Sequence, residues 1–171
     1  MVFSILAFIA LILSICLKKR KRALIVQAFE CLFSALYAFY ISAITAGVIE
    51  IINAIRTSIF INKKKIGKSI YLGILIFFEI LIMTNCYLSW AGFISLLPTI
   101  GSMIRTYCLW QSDMKWVRLS GITTGIFYGA YYIFYEGWFM VLGYTILLLV
   151  SIYEMYINDF RKKDNVEETK D

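Results

Sequence analysis

Long apolar runs separated by short basic clusters restrict the fold of this chain more than any other feature. The first run, 1–17, is followed at once by Lys18-Lys19-Arg20-Lys21-Arg22, and residues 23–61 are almost continuously apolar. A helix of about 20 apolar residues crosses the hydrocarbon core of a bilayer. The chain is 61% hydrophobic and 16% charged, whereas soluble domains are about 45–50% apolar and about 25% charged. We therefore expect an integral membrane protein whose main partner is the lipid bilayer.

Polar breaks divide the apolar sequence into seven predicted transmembrane helices. The run 23–61 is twice the length of one span, so it must fold back, and the small polar stretch 42–47 is the predicted turn. The later spans are predicted at 69–85, 90–110, 116–135 and 138–157. The predicted fold class is all-α, a polytopic membrane helical bundle.

The distribution of basic residues predicts the orientation of this bundle. If the amino terminus is outside, 15 of the 17 Lys and Arg residues fall in cytoplasmic loops or the tail, and the external turns hold none. An excess of Lys and Arg on the cytoplasmic side is typical of membrane proteins. We expect the amino terminus outside and the carboxyl terminus in the cytoplasm, with Arg56 and Arg105 inside spans.

A weak internal repeat divides the chain further. With a shift of 95 residues, the stretch 35–40 falls on 130–135, so that helices 1–3 correspond to helices 5–7. The predicted organisation is a first three-helix repeat at 1–62, a linker helix at 63–87, a second repeat at 88–160 and a charged cytoplasmic tail at 161–171. Parallel repeats of this 3+1+3 kind occur in transporters, which bind their solute at the repeat interface near mid-membrane.

Polar side chains recur on single faces of three predicted helices. Such residues inside a span are costly and usually face protein or water. They could pair with one another and hold the bundle together, or they could line a solute path. The candidates for the path are Gln27, Glu30, Glu50, Asn53, Arg56, Ser95, Pro98, Ser102 and Arg105. On grounds of similar depth, we expect Arg105 to pair with Glu154 or Glu30, and Arg56 with whichever remains.

Three further patterns concern packing. Gly121, Gly125 and Gly129 form a stripe of small residues that lets a neighbouring helix approach, either within the chain or in a homodimer. Pro98 is expected to kink or loosen helix 5, as a static bend or as a hinge. A cluster of aromatic residues near an external end is expected to form an interfacial belt or, alternatively, a stacking site for a sugar or a base. Its members are Tyr128, Tyr131, Tyr132, Tyr135 and Trp138.

Several function classes are disfavoured. The chain has no histidine, and its four cysteines form no C-x-x-C pair, so we expect no metal site, no cofactor and no catalytic residues. Its basic residues lie between apolar runs, which indicates topology signals rather than nucleic-acid binding. The chain is therefore not expected to be an enzyme.

The stretch 90–98, together with Arg105, Trp110, Arg118 and the stretch 129–132, resembles the YgjV family of bacterial inner membrane proteins. The stretch 53–56 with Phe60 resembles the corresponding part of the first half. More distantly, the 3+1+3 layout with a proline in helix 5 is similar to SWEET and PQ-loop transporters. The resemblance implies a multi-pass protein of the bacterial inner membrane. Two hypotheses follow: a small-solute transporter of the SWEET/PQ-loop type, or a non-transporting structural or regulatory protein whose polar residues only pack the bundle.

Overall fold

The computed structural model describes residues 2–17, 19–61, 68–111 and 113–157, and these residues fold almost entirely into α-helices. The seven helices are α1 (Val2–Cys16), α2 (Arg20–Tyr40), α3 (Ile44–Ile61), α4 (Lys68–Leu88), α5 (Leu96–Trp110), α6 (Met114–Phe134) and α7 (Trp138–Met155). The described residues contain no β-strand, and the all-α prediction is confirmed. The predicted tail 161–171 lies outside the described residues.

Six of the helices form a ring, and the seventh lies outside it. In chain order, α1 packs on α2, α2 on α3, α3 on α5, α5 on α6 and α6 on α7, and α7 closes the ring against α1. Helix α4 packs on α3 and α5 from the outside. The two triplets of helices therefore meet at two seams, one between α1 and α7 and one between α3 and α5.

The bounds of the two triplets correspond at a constant shift. Adding 94 to the bounds of α1, α2 and α3 gives 96–110, 114–134 and 138–155, which are the bounds of α5, α6 and α7. The turns match as well: Ala43 N donates to Ala38 O, and Gly137 N donates to Tyr132 O, both at 2.9 Å. This shift of 94 residues differs by one from the shift of 95 at which the sequence predicts the internal repeat, and the repeat stays a prediction.

The turn between α2 and α3 is tighter than the sequence predicts. It occupies 41–43 rather than 42–47, and Thr45 to Gly47 already belong to α3. Ser42 adopts a φ of 60°, a left-handed conformation that ends a helix within one residue. Glu136 does the same after α6, with a φ of 52°.

The outer surface of the bundle is apolar, as lipid requires. Phe29, Leu32 and Leu36 of α2 are exposed, as are Phe77 and Ile80 of α4. Four helices, α2, α3, α4 and α7, are each long and apolar enough to cross a membrane by themselves, and α1 is a shorter apolar helix. Since polar residues collect in the interior instead, the bundle is built for a hydrocarbon solvent.

The two ends of the bundle have different cores. At the first end, which we call the basic end, Leu24, Phe60, Tyr71, Leu109 and Val117 pack together. There, Arg20 Nη2 donates to the Leu109 carbonyl at 2.7 Å, which ties α2 to the end of α5.

At the opposite end, which we call the tyrosine end, Tyr37, Tyr131 and Tyr132 are buried with Tyr128 and Tyr144 in the main core cluster. The predicted interfacial belt is therefore wrong for Tyr128, Tyr131 and Tyr132, whose exposure is 0%. Their helix face turns toward α2, α3 and α7, so they fill the core.

The glycine stripe faces α7 of the same chain. A Cβ on Gly121 would collide with Ser151 Oγ, and one on Gly125 would lie 2.9 Å from both Leu148 Cβ and the Tyr144 carbonyl. A Cβ on Gly129 would make an ordinary contact of 3.6 Å with Tyr144 Cβ. Close packing therefore needs glycine at the first two positions and not at the third. All three glycines are buried, so this stripe offers no surface for a homodimer.

The position of Pro98 in α5 differs from the one that the sequence predicts. The helix begins at Leu96, which places Pro98 in its first turn. Backbone N–H groups of the first turn have no partner within a helix, so a proline there removes no hydrogen bond. The sequence-based span began at residue 90 and so put Pro98 in mid-helix, whereas 93–95 form a separate short 3₁₀ turn.

Candidate functional site

A buried polar network lies inside the ring and joins α2, α3, α5 and α6. Six of the predicted path residues meet there: Glu30, Glu50, Asn53, Arg56, Ser102 and Arg105. All six residues are buried, with an exposure of 1% or less. The stripes that the sequence places on three separate helices thus converge on one interior site.

Arg105 is the centre of the acidic part of the network. Its Nη2 lies 2.9 Å from Glu30 Oε2, and its Nη1 lies 3.9 Å from Glu50 Oε2. Nη2 also donates to Cys31 Sγ at 3.6 Å, and Ser34 Oγ donates to Glu30 Oε1 at 3.0 Å. One guanidinium from α5 therefore lies between carboxylates of α2 and α3, which links the two triplets by charge.

Asn53 is the neutral junction of the network. Its Nδ2 donates to Tyr128 Oη at 3.2 Å and more weakly to Glu50 Oε2 at 3.4 Å. Its Oδ1 accepts from Ser102 Oγ at 2.7 Å. A single amide on α3 thereby contacts α5 and α6 at once, using both its donor and its acceptor.

Arg56 has a different environment. Its Nη1 donates to the Ser102 carbonyl at 3.4 Å and, in a short hydrogen bond, to Thr106 Oγ1. Its Nε and Nη2 have no hydrogen-bond partner among the described residues. No carboxylate of the described chain forms an ion pair with it. Arg56 is thus a buried cation held only by neutral oxygens.

One of the two predicted ion pairs is present in the structure and the other is not. Arg105 does pair with Glu30, one of the two predicted partners. The prediction that Arg56 takes Glu154 is wrong, because Glu154 lies 3.9 Å from Arg118 of the neighbouring helix α6. The prediction was based on similar depth along the helices, but the direction in which each helix face points decides the partner.

Three of the predicted path residues have no bond in this network. Ser95 and Pro98 lie at the start of α5, where the Ser95 hydroxyl accepts from Ala91 N at 2.9 Å and its carbonyl accepts from Thr99 Oγ1 at 2.8 Å. Gln27 is buried on α2, and its Oε1 has no partner in the described structure. Ser95 and Pro98 therefore build the beginning of a helix, and their role as path residues stays an untested prediction.

Sequence reasoning missed three members of the site. Thr106 lies four residues after Ser102, on the same helix face, and this spacing could have identified it. Cys31 belongs to no C-x-x-C pair and so was given no role, and Tyr128 was expected in the aromatic belt. No sequence pattern indicates that Tyr128 would reach Asn53, because that contact depends on which helices are neighbours.

The acidic groups also raise the question of a metal ion. The ligand atoms of Glu30, Cys31 and Glu50 lie within 4.8 Å of one another. The cation that these groups contact is the guanidinium of Arg105, which any metal ion would have to displace. The arrangement therefore has the geometry of an internal ion-pair cluster.

A narrow cleft reaches the network from the seam between α1 and α7. It has an empty volume of about 170 Å³ and is lined by Leu11, Glu30, Ser34, Gly143 and Tyr144, among others. It is too narrow to hold a water molecule. In this conformation the charged groups beside it are closed to solvent.

The comparisons with known proteins give a family and no detailed relative. No curated protein and no solved structure matches the chain, and nothing in these comparisons connects it with SWEET or PQ-loop transporters. One family model, Imp-YgjV, described as bacterial inner membrane protein, matches residues 1–160. This match covers all seven helices and the whole buried network. The chain therefore belongs to the YgjV family of bacterial inner membrane proteins.

Proposed function

We propose that this protein is a transporter for a small solute and that the structure is its closed, solvent-excluded conformation. The observation that carries the proposal is the burial of two acidic and two basic side chains where the two helix triplets meet. Pure packing does not call for such a site, because replacing a buried ion pair with apolar residues is often neutral or stabilising. Intramembrane charges that face the bundle interior commonly mark solute or ion paths.

The unfilled hydrogen-bonding capacity supports the same proposal. Arg56 and Arg105 each have two guanidinium nitrogens without a hydrogen-bond partner in the described structure. A buried donor that stays unsatisfied costs about 1–3 kcal/mol, and more when it is charged. A solute, or water admitted when the bundle opens, would fill these positions.

The seams between the triplets are the places where the bundle would open. Arg56 on α3 bonds to Ser102 and Thr106 on α5, across one seam. The other seam, between α1 and α7, contains the cleft that ends at Glu30. Alternating opening at these seams would expose the network to one side of the membrane at a time.

A second function has its own supporting observation. Glu30, Asn53 and Ser102 are joined by direct hydrogen bonds to other buried side chains, and the cleft beside them does not hold water. A non-transporting structural or regulatory protein would need such a dry, internally bonded core. The two functions differ in whether the network ever meets water.

The native Cys31 gives a direct test, because it contacts both Glu30 and Arg105. Variants would carry Cys31 as the single cysteine and, as a control, Cys108, which is 1% exposed and forms no bond in the network. The measurement is labelling by a small, water-soluble thiol reagent in intact cells and in inverted vesicles. Transport predicts that Cys31 reacts faster than Cys108 in both preparations. Equal, slow reaction at both cysteines would support the structural role instead.

We also propose that the basic end of the bundle is cytoplasmic, with the amino terminus outside. The support is the collection of basic residues beside the ends of α1, α3 and α5. Ser42 and Asp113 are exposed at opposite ends and suit cysteine substitution. Reaction of Ser42→Cys in intact cells, with Asp113→Cys reacting only in inverted vesicles, is the expected result. The reverse pattern would contradict the orientation.

A further inference from the structure

Arg56 is the one charged member of the network that contacts no opposite charge. Glu30 and Glu50 both form ion pairs with Arg105, whereas Arg56 bonds only to a backbone carbonyl and a hydroxyl. Arg105 and Glu50 act on Arg56 electrostatically, and Glu79 of α4 interacts with it in the same way without forming an ion pair. Arg56 is fully buried, at 0% exposure. Arg56 therefore has no direct ionic partner among the described residues.

The unoccupied atoms of Arg56 form one edge of its guanidinium. Nε and Nη2 lie side by side, and their N–H bonds point in parallel, while Nη1 is the nitrogen that is already bonded. Two parallel N–H donors match the two oxygens of a carboxylate or of a phosphate. The bond from Nη1 to Thr106 restricts the rotation of the guanidinium, so the unbonded edge keeps a fixed direction.

The charge balance of the site selects among anions. Glu30, Glu50, Arg56 and Arg105 sum to zero when all four are ionised. A singly charged anion would bring the site to one negative charge, and a doubly charged phosphate would bring it to two. In an interior of low dielectric each additional charge is costly, so the network favours a single carboxylate.

We propose that the free Nε and Nη2 edge of Arg56 binds the carboxylate of a small, singly charged organic anion. The further claim that this anion is the transported solute rests on the proposed function. The binding step itself can be measured without transport. Lysine cannot replace arginine here, because its ammonium group is a point charge without a two-donor edge.

Acetate is the minimal probe, since any site built for a carboxylate must accept it. The measurement is the thermal unfolding midpoint of the full chain purified in detergent, with sodium acetate against sodium chloride at equal ionic strength. A ligand that binds the folded state raises this midpoint. We expect acetate to raise it for the unaltered protein and for Arg118→Gln, a control that removes a cation at the basic end.

Two variants test whether the effect belongs to Arg56. We expect Arg56→Gln to lose the acetate shift completely and Arg56→Lys to lose most of it, with Arg56→Lys serving alone if the glutamine variant does not fold. An equal acetate shift in the unaltered protein and in either variant would overturn the proposal, as would no shift beyond that of chloride.

Further arms separate the sources of an anionic group. A larger Arg56-dependent shift with inorganic phosphate than with acetate would overturn the choice of a single carboxylate. Arg56-dependent stabilisation by phosphatidylglycerol micelles without any by acetate would assign the site to a lipid headgroup and overturn the proposal. If acetate binds through Arg56 while Cys31 never reacts with water-soluble reagents, the binding site stands and the transport function fails.

Discussion

The two arginines of the interior show how differently one bundle can treat the same buried charge. Arg105 of α5 lies 2.9 Å from Glu30 and 3.9 Å from Glu50, so its charge is balanced by its own chain. Arg56 of α3 is equally buried but contacts only Ser102 and Thr106. The first arginine is part of the frame that joins the triplets, and the second is available to a ligand.

The two triplets also differ from each other in where their buried charges lie. At the 94-residue shift of the helix bounds, Arg105 corresponds to Leu11 and Glu50 corresponds to Tyr144. Arg56 corresponds to Val150. The two triplets thus share their helix bounds, but none of these three charged residues has a charged residue at the corresponding position of the other triplet.

The largest expected effect is that of Arg105→Gln. It removes the cation between Glu30 and Glu50 and leaves two buried carboxylates facing each other. Breaking a buried ion pair by removing one partner costs about 3–5 kcal/mol. The measurement is the free energy of unfolding by SDS titration in detergent micelles. An unchanged free energy of unfolding would mean that the pair contributes nothing to stability.

A purely steric change sets the scale for that loss. Gly125→Leu places atoms where Leu148 Cβ and the Tyr144 carbonyl already lie 2.9 Å from a Cβ. Overpacking of this kind costs about 1–3 kcal/mol, so we expect a smaller loss than for Arg105→Gln in the same titration. Gly129→Ala, whose Cβ has room at 3.6 Å, is the matched control and should change stability little. Equal losses at the two glycines would contradict the close approach at Gly125.

The smallest expected effect is that of Arg56→Gln without ligand. The change removes two hydrogen bonds to neutral acceptors, each worth about 0.5–1.5 kcal/mol. It also removes an unpaired buried charge, whose desolvation opposes folding. Because these effects oppose each other, we expect a net change within about 1 kcal/mol in the same titration. A loss as large as that for Arg105→Gln would erase the distinction between the two arginines.

The fold could be predicted from the sequence more fully than the site could. Apolar runs and basic clusters are local signals, so the seven helices and the stripes that carry Glu30, Asn53 and Ser102 were predictable. The contacts of a stripe depend on which helices are neighbours and how each is rotated about its axis. For that reason Glu154 was assigned to the wrong arginine and Tyr128 to the membrane surface. Pro98 was misplaced because an apolar run does not mark where α5 begins after the 3₁₀ turn.

Paired double-mutant cycles test the central distinction most directly. One cycle combines Arg105→Gln with Glu30→Gln, and the other combines Arg56→Gln with Glu50→Gln, all read as the free energy of unfolding by SDS titration. Groups in direct contact show interaction energies of about 0.5–3 kcal/mol, whereas independent groups add within about 0.3–0.5 kcal/mol. We expect a coupling in the upper part of that range for Arg105 with Glu30 and a clearly smaller one for Arg56 with Glu50, which form no ion pair and interact only electrostatically and through the shared network. Equal coupling in both cycles would show that Arg56 is neutralised within the chain like Arg105, and would contradict the account.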